Sequence, residues 1–214
     1  GVVSNITLSH EGTSFDFKSA RCDYGRLRTG LIGDFQAYNS ALAILAVEYY
    51  LSVCSVTPVS GFIQGGLNNV TWPGRFQLVN ASPPVYLDGA HNVHAAKAFI
   101  ATLEQLGVTR AAGAFIIGVL EDKNFEDFLY YITPFISKCW TVTPSGVRGL
   151  SASTLAECAS LKDVDVSATT LDVAYLEAKS WAEENKGYVC ILGSLHLVGD
   201  FFNSSLIMMN SDQM

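Results

Sequence analysis

The stretch Val85-Tyr86-Leu87-Asp88-Gly89-Ala90-His91-Asn92 decides the fold of this chain. Its first residues suit a pleated surface and two prolines precede them, so the pattern predicts a strand. Gly89 permits a sharp turn, and Asn92 can cap the helix that the following apolar residues predict. Asp88 then lies at the carboxyl end of a strand beside a helix N-terminus, where open α/β sheets bind ligands. The alternative, that Asp88 and His91 only cap the helix, stays open.

Strands and helices alternate from this stretch onward. Predicted strands cover residues 85–87, 114–118, 139–143, 164–166 and 188–192. Predicted helices cover residues 92–106, 124–136, 153–161, 170–185 and 194–208. The first has its apolar face on Ala96, Phe99, Ile100 and Leu103, and the second begins behind a cap at Asn124. Such alternation predicts an α/β fold with a Rossmann-like, mostly parallel sheet and helices on both faces.

The first 84 residues follow a different pattern. Short apolar alternations on either side of Gly12 predict a hairpin. A helix is predicted to run from Gly33 to about Leu51, with its apolar face on Ala41, Leu42, Leu45, Ala46 and Tyr49. Residues 57–84 are dense in glycine and proline, which predicts a linker between two units.

Charge and hydropathy exclude several classes of function. The formal net charge is −7 and 15% of the residues are charged, so no basic stripe exists to bind nucleic acid. The longest apolar stretch, residues 41–53, is too short to span a bilayer and is interrupted by Glu48. We therefore expect neither a nucleic-acid partner nor a membrane.

The five cysteines are scattered and include no C-x-x-C pair. This pattern predicts buried free thiols in a cytoplasmic protein rather than disulfides or a zinc site. His91 and His94 are spaced for a shared metal, but no third ligand is apparent, and we expect no metal site. The sequence also lacks a G-x-x-x-x-G-K-[ST] phosphate loop, a G-x-G-x-x-G fingerprint and a G-x-S-x-G elbow.

Three loops follow predicted strands at the same edge of the sheet. They are residues 88–92, 118–123 and 193–196. Lys123 and Ser194 each lie beside a helix start, where backbone N–H groups favour a carboxylate or phosphate. A lysine, a hydroxyl and a histidine that converge there would make a carboxylate-binding pocket. Taken singly, Lys123 is also explained as a surface residue and Ser194 as a helix cap.

Two further polar positions lie earlier in the chain. Arg75 follows the rigid turn of Trp72-Pro73-Gly74, from which a guanidinium can bind an anion with two hydrogen bonds or form a surface ion pair. Gln36 and Asn39 lie in the first turns of the first predicted helix, where they face either a ligand or solvent. For these two amides taken alone, solvent is the better interpretation.

Taken together, five segments resemble folylpolyglutamate synthase and dihydrofolate synthase, members of the Mur ligase superfamily. In chain order they are G-D-F-Q-x-x-N at 33–39, W-P-G-R at 72–75, D-G-A-H-N at 88–92, D-K at 122–123 and G-S-L-H-L-V-G at 193–199. The resemblance is to the second half of the family. It implies that residues 1–72 are the tail of a central ATPase domain, and that residues 73–214 are the C-terminal Rossmann-like domain.

The resemblance also implies an activity and roles for residues. The family joins L-glutamate to a folate through an acyl phosphate, using ATP and magnesium. By position, Asn39, Arg75 and Asp88 would contact ATP, while His91, Lys123 and Ser194 would hold the incoming glutamate, and His91 and Lys123 would be catalytic. The phosphate loop and magnesium ligands would belong to an N-terminal ATPase domain of the same protein, so we expect the chain alone to be inactive.

Two other interpretations stay open at this point. One is another Mur-type amino-acid ligase that acts on a cell-wall precursor, which the W-P-G-R segment at 72–75 disfavours. The other is a Rossmann-like binding module without catalysis.

Overall fold

The computed structural model describes residues 1–56, 60–108, 112–158, 161 and 163–204. The chain divides into two compact units, Gly1–Trp72 and Pro73–Met214. Each unit has its own sheet, with three strands in the first and six in the second. No helix within the described residues combines the length and hydropathy that a bilayer span requires.

The sheet of the first unit is antiparallel, in the order β1-β2-β3. Its strands are β1 (Val2–Ser9), β2 (Gly12–Lys18) and β3 (Asp23–Thr29). Ser9 pairs with Gly12 at the turn between β1 and β2, which confirms the predicted hairpin. Phe15, Phe17 and Leu27 point to one face of the sheet and form a buried core, as the period of two in a strand requires.

The helix α1 (Asp34–Val53) forms where a helix is predicted, but it buries a different face. Ala37, Ala41 and Ile44 belong to the core, whereas Leu42 is 68% and Tyr49 70% exposed. Apolar residues surround this helix on nearly every side, so their spacing does not single out one face. The predicted face was therefore right for Ala41, which is buried, and in part for Leu45, which is half-buried. It was wrong for Leu42, Ala46 and Tyr49, which are exposed.

Polar residues on the buried face of α1 find partners inside the first unit. Glu48 is 3% exposed and accepts hydrogen bonds from Ser19 Oγ at 2.6 Å and Tyr24 Oη at 2.9 Å. Burial and the neighbouring Glu48 carboxylate raise the pKa of Tyr24 well above its usual value. These bonds offset the cost of removing a carboxylate from water and make the polar face the inner one.

The predicted linker is largely structured. Residues 60–69 form α2 (Ser60–Asn69), and Gln77–Ala81 form the strand β4. Ile63 and Leu67 of α2 pack against the core of the first unit, and this burial outweighs the low helix propensity of Gly65 and Gly66. Residues 57–59 of the predicted linker lie outside the described residues.

The second unit contains a six-stranded sheet in the order β4-β5-β9-β6-β7-β8. Its other strands are β5 (Pro84–Leu87), β6 (Gly113–Ile117), β7 (Lys138–Thr141), β8 (Val166–Ala168) and β9 (Tyr188–Leu192). All neighbours run parallel except β4, which pairs antiparallel with β5 at the edge. The predicted parallel sheet is confirmed, and β4 is the strand that the glycine- and proline-rich pattern concealed.

The helices of the second unit follow the predicted order with shorter ends. They are α3 (Val93–Gln105), α4 (Phe125–Ile132), α5 (Ala152–Ala156), α6 (Leu171–Glu184) and α7 (Leu195–Asn203). A 3₁₀ turn over Thr133–Phe135 replaces the predicted end of α4, because Pro134 cannot continue the α-helical hydrogen bonding. Parts of the predicted ends of α5 and α7, at 159–160 and 205–208, lie outside the described residues.

Two layers of helices accompany the sheet. One layer, α6 and α7, packs against the face that carries Val85, Leu87, Ile116 and Ile191. On the opposite face, the Phe76 ring packs at a tilt against both Tyr86 of β5 and Phe99 of α3, with ring centroids 5.1 and 4.9 Å apart. The predicted apolar face of α3 is confirmed, since its four residues are at most 2% exposed.

All five cysteines are free thiols, but they differ in exposure. Cys139 and Cys190 are buried in the sheet, where burial raises the pKa of each thiol. Cys22 and Cys54 are exposed, and Cys158 is half-buried. The prediction of buried thiols was right for the two strand cysteines and wrong for the two exposed ones.

Candidate functional site

The candidate site lies where three parallel strands end side by side. In β5 and β9, Leu87 pairs with Ile191, and in β6 and β9, Ile117 pairs with Leu192. The backbone bonds continue past the strands, because Asp88 N donates to Ile191 O at 3.1 Å and Gly193 N donates to Ala90 O at 2.9 Å. The three loops predicted to share one edge therefore meet there.

Gly193 is required by this close approach of backbones. Its φ is +118°, and a Cβ atom on it would lie 2.5 Å from the carbonyl oxygen of Gly118. An L side chain fits neither the conformation nor the space. The sharp turn at this position directs the chain from β9 into α7 and forms one wall of the site.

Asp88 connects the segments around it. Its carboxylate accepts hydrogen bonds from Phe76 N and from Ala90 N, both at 2.7 Å. Burial raises the pKa of Asp88 to about 6, and the two backbone bonds, Arg75 and His91 oppose this rise. Asp88 therefore holds the turn after β5 against the segment that precedes β4.

His91 is oriented by the backbone. Its Nδ1 lies 2.8 Å from Gly89 O, and a carbonyl oxygen can only accept, so Nδ1 carries the proton. In the neutral ring, Nε2 is then an acceptor. The cap of α3 is Asn92, whose Oδ1 accepts from Ala95 N at 2.9 Å. The interpretation that Asp88 and His91 only cap this helix is therefore wrong.

A cavity of about 230 Å³ opens at this edge of the sheet. It brings together three of the predicted site residues, His91, Lys123 and Ser194. Two further basic side chains, those of Arg148 and His196, line the same cavity. The remaining lining residues are Leu120, Gly193 and Leu195.

Helix starts place Ser194 and Lys123 at the cavity. Ser194 is 3% exposed and caps α7, its Oγ accepting from Leu197 N at 3.0 Å. Lys123 lies two residues before α4, and its side chain is exposed. Asn124 is the N-cap residue of α4, as predicted, but its side chain accepts no hydrogen bond from the helix backbone, and its Nδ2 donates to Asp127 Oδ2 at 2.8 Å.

Arg148 was missed by the sequence analysis. It lies in the loop after β7, next to β6 in the sheet, and its Nη1 is 2.9 Å from Asp122 Oδ2. Its position after a parallel strand was a usable signal, since that strand was predicted and its carboxyl end belongs to the same edge. The loop itself carries no recognisable motif.

Arg75 lies close to Asp88 within the second unit. Its Nη1 is 3.3 Å from Gly74 O, and a Cβ atom on Gly89 would lie 3.0 Å from the same nitrogen. The guanidinium therefore lies over the turn after β5, and its charge favours the ionised form of Asp88.

Asn39 belongs to the first unit, unlike the other five predicted site residues. It lies in α1, is exposed, and donates from Nδ2 to Gln36 Oε1 at 3.0 Å. Gln36 itself is 3% exposed, so the expectation that it faces solvent was wrong. Among the described residues, no group of three or more His, Cys, Asp or Glu side chains could hold a metal ion.

The comparisons with known proteins agree with this fold. The family described as Mur ligase, glutamate ligase domain, matches residues 74–195. This match covers more than half of the chain and includes all the residues that line the cavity except His196. The chain belongs to this family.

The relatives within the family are folate–glutamate ligases. The dihydrofolate synthase/folylpolyglutamate synthase of Bacillus subtilis is 30% identical over 201 residues, which are 93% of this chain and 46% of that protein. The enzyme of the same name from Escherichia coli is 34% identical over 137 residues, 64% of this chain and 31% of that protein. The resemblance to the C-terminal half of this family is thus confirmed, and the chain spans less than half of each relative.

A solved structure shows the same fold. A crystal structure of Mycobacterium tuberculosis folylpolyglutamate synthase complexed with ADP and AMPPCP superposes with a TM-score of 0.84 at 23% identity. The superposition covers 96% of this chain and 47% of that one. Both units of the chain therefore have counterparts in the fold of that enzyme.

Proposed function

We propose that this chain is the glutamate-binding half of an ATP-dependent ligase. The complete enzyme joins L-glutamate to a folate through an acyl phosphate, in the cytoplasm, and its partner is an N-terminal ATPase domain of the same protein. Residues 1–72 are then the tail of the central ATPase domain, and residues 73–214 are the domain that presents the amino acid. Membership of the glutamate ligase domain family supports this proposal.

The observation that carries the proposal is the composition of the cavity. Lys123 and Arg148 bring two positive charges to a volume of about 230 Å³, and no Asp or Glu is among its lining residues. Ser194 and the N-terminus of α7 add polar hydrogens that favour an anion. This combination suits a small amino acid that carries carboxylates.

The oriented histidine supplies a chemical role. An amine attacks an acyl phosphate only in its unprotonated form, so the ammonium of the incoming glutamate must lose a proton. Because His91 Nδ1 donates its proton to Gly89 O, the other ring nitrogen, Nε2, can accept the proton of the ammonium. Lys123 and Ser194 hold a carboxylate of the same amino acid, so that the amine is presented in a fixed direction.

ATP and magnesium fit the second unit only in part. ATP supplies the phosphoryl group that activates the folate carboxylate. Arg75 is proposed to contact its phosphates and Asp88 its ribose. The Asp88 carboxylate has acceptor capacity for a ribose hydroxyl, because each carboxylate oxygen can accept twice and each accepts one backbone bond. Asn39 is proposed to contact the adenine. The described residues contain no carboxylate or imidazole cluster for magnesium, which we assign mainly to the ATPase half.

Product analysis on the complete enzyme tests the proposal. The protein that carries this chain is supplied with ATP, magnesium, L-glutamate and either dihydropteroate or a folate monoglutamate, and products are identified by mass spectrometry. We expect the acceptor to gain one glutamyl residue with stoichiometric ADP. Ligation of another amino acid in place of glutamate would indicate a different Mur-type ligase, and absence of any ligation would indicate a binding module.

A further inference from the structure

Arg148 brings to the cavity a second positive charge that the proposed glutamate contacts do not use. We propose that Arg148 binds the side-chain carboxylate of the incoming amino acid and makes the site selective for glutamate over glutamine. This inference rests on the proposed function, since it names the residue that binds the second carboxylate of the proposed substrate.

The backbone of Arg148 is fixed against the loop that carries Lys123. Glu121 N donates to Arg148 O at 2.9 Å, and Leu150 N donates to Val119 O at 3.0 Å. These bonds form a short antiparallel bridge between the loop after β7 and the loop after β6. Arg148 and Lys123 therefore reach the cavity from two joined loops.

The same loop is also held from the side of α7. Ser145 N donates to Asp200 Oδ2 at 2.8 Å. A Cβ atom on Gly146 would lie 3.8 Å from the His196 ring, which lines the cavity. Two elements therefore anchor the loop, and the backbone position of Arg148 is set before any ligand binds, which lowers the entropic cost of binding.

The present partner of Arg148 is a weak competitor for a ligand. Asp122 contacts Nη1 at 2.9 Å, and the two side chains are 53% and 47% exposed, so solvent screens the pair. A guanidinium has five N–H donors in a planar fork, and this contact involves one nitrogen. The ligand carboxylate can thus share Arg148 with Asp122, which orients the guanidinium.

The charges in the cavity match a dicarboxylate. Lys123, with Ser194, meets one carboxylate of glutamate, and Arg148 meets the other with two parallel hydrogen bonds. Glutamine has nearly the same shape but presents a neutral amide, whose NH₂ group faces a donor. A site built for a charged partner rejects such an analogue, because its own donors lose their acceptors.

Ligand titrations of the 214-residue chain test this assignment. Binding of L-glutamate and of L-glutamine is followed by NMR chemical shifts in the wild type, Arg148→Gln and Arg148→Met. We expect the wild type to prefer glutamate by about tenfold, and both variants to lose this preference through weaker binding of glutamate alone. Arg28→Gln removes an exposed arginine that pairs with Glu11 in the first unit, and serves as the matched control with an unchanged preference.

Each outcome decides between the two proposals. A variant that is folded and keeps the tenfold preference overturns the role of Arg148 and leaves the proposed function standing. A folded wild-type chain that binds neither amino acid contradicts the proposed glutamate site, and the role of Arg148 with it. If Arg148→Gln fails to fold, Arg148→Met answers the same question, because it retains an unbranched aliphatic stem.

Discussion

Asp88 combines two demands that are in conflict. Its carboxylate must accept two backbone N–H groups that join the start of the second unit to β5, yet burial disfavours its charge. The result is a pKa of about 6 rather than 3.8. A residue proposed to contact ATP is thus also a structural one, and its two roles can be separated by pH.

Replacing Asp88 by Asn should change the pH dependence of stability. Between pH 4 and 6 the folded chain keeps a proton that the unfolded chain releases, so the contribution of Asp88 is greatest at low pH and is lost as pH rises through 6. The free energy of unfolding of Asp88→Asn, relative to wild type, should therefore rise by up to about 3 kcal/mol from pH 4 to 7.

Urea denaturation at several pH values measures this difference. Asp172→Asn, at an exposed position in α6, controls for the loss of one carboxylate. A difference between wild type and Asp88→Asn that stays constant with pH would show that burial does not hold a proton on Asp88.

Lys123 and Arg75 should divide the substrates between them in the complete ligase. Lys123→Ala removes a charge from the cavity, so we expect the KM for glutamate to rise by about tenfold or more while the KM for ATP hardly changes. Arg75→Ala removes the cation over the turn after β5 and should weaken the ATP-dependent step. Steady-state kinetics with each substrate varied in turn checks both variants, and equal profiles for the two would refute the division.

At the scale of single elements, the turn between β9 and α7 has little tolerance for change. Gly193→Ala places a methyl group against the backbone of Gly118 at a φ of +118°, and should destabilise the chain by more than about 2 kcal/mol. Gly199→Ala is the matched control, because it lies inside α7 with nothing within 4 Å of its Cβ position. That control should gain about 0.5 to 1 kcal/mol from helix propensity, and thermal unfolding of both variants tests the contrast.

The inner face of α1 can be identified in the same way. Ile44 is 2% exposed, whereas Leu42 is 68% exposed. We expect Ile44→Ala to lower the free energy of unfolding by about 2 to 5 kcal/mol and Leu42→Ala to change it by less than about 0.5 kcal/mol. The reverse order in denaturant titrations would restore the face predicted from the sequence.

These elements show what sequence patterns can and cannot predict. The stripe on α3 was correctly placed because its polar residues are clearly separated from its apolar ones. On α1 the apolar residues lie all round, and the buried partners of Glu48 come from strands far away in sequence. The helix α2 was missed for a similar reason, since tertiary contacts override the breakers Gly65 and Gly66. The strand β4 contains no breaker and was concealed by the glycines and prolines on either side of it.

For the whole molecule, strand order decided how much of the site was predictable. Placing β5, β9 and β6 side by side brings the loops of His91, Lys123 and Ser194 to one cavity, as a parallel sheet requires. The presence of Arg148 in this cavity was not predicted, because its position depends on backbone hydrogen bonds between two irregular loops. Such bonds leave no period in the sequence.

Binding of L-glutamate to the 214-residue chain tests the central claim most directly. A free amino acid of this size gains little energy per contact, so we predict roughly millimolar affinity, with NMR shifts centred on His91, Lys123 and Ser194. Lys123→Ala should weaken this binding about tenfold, while Lys97→Ala, at an exposed position on α3, should leave it unchanged. Absence of shifts at the cavity, or equal binding by wild type and Lys123→Ala, would contradict the account.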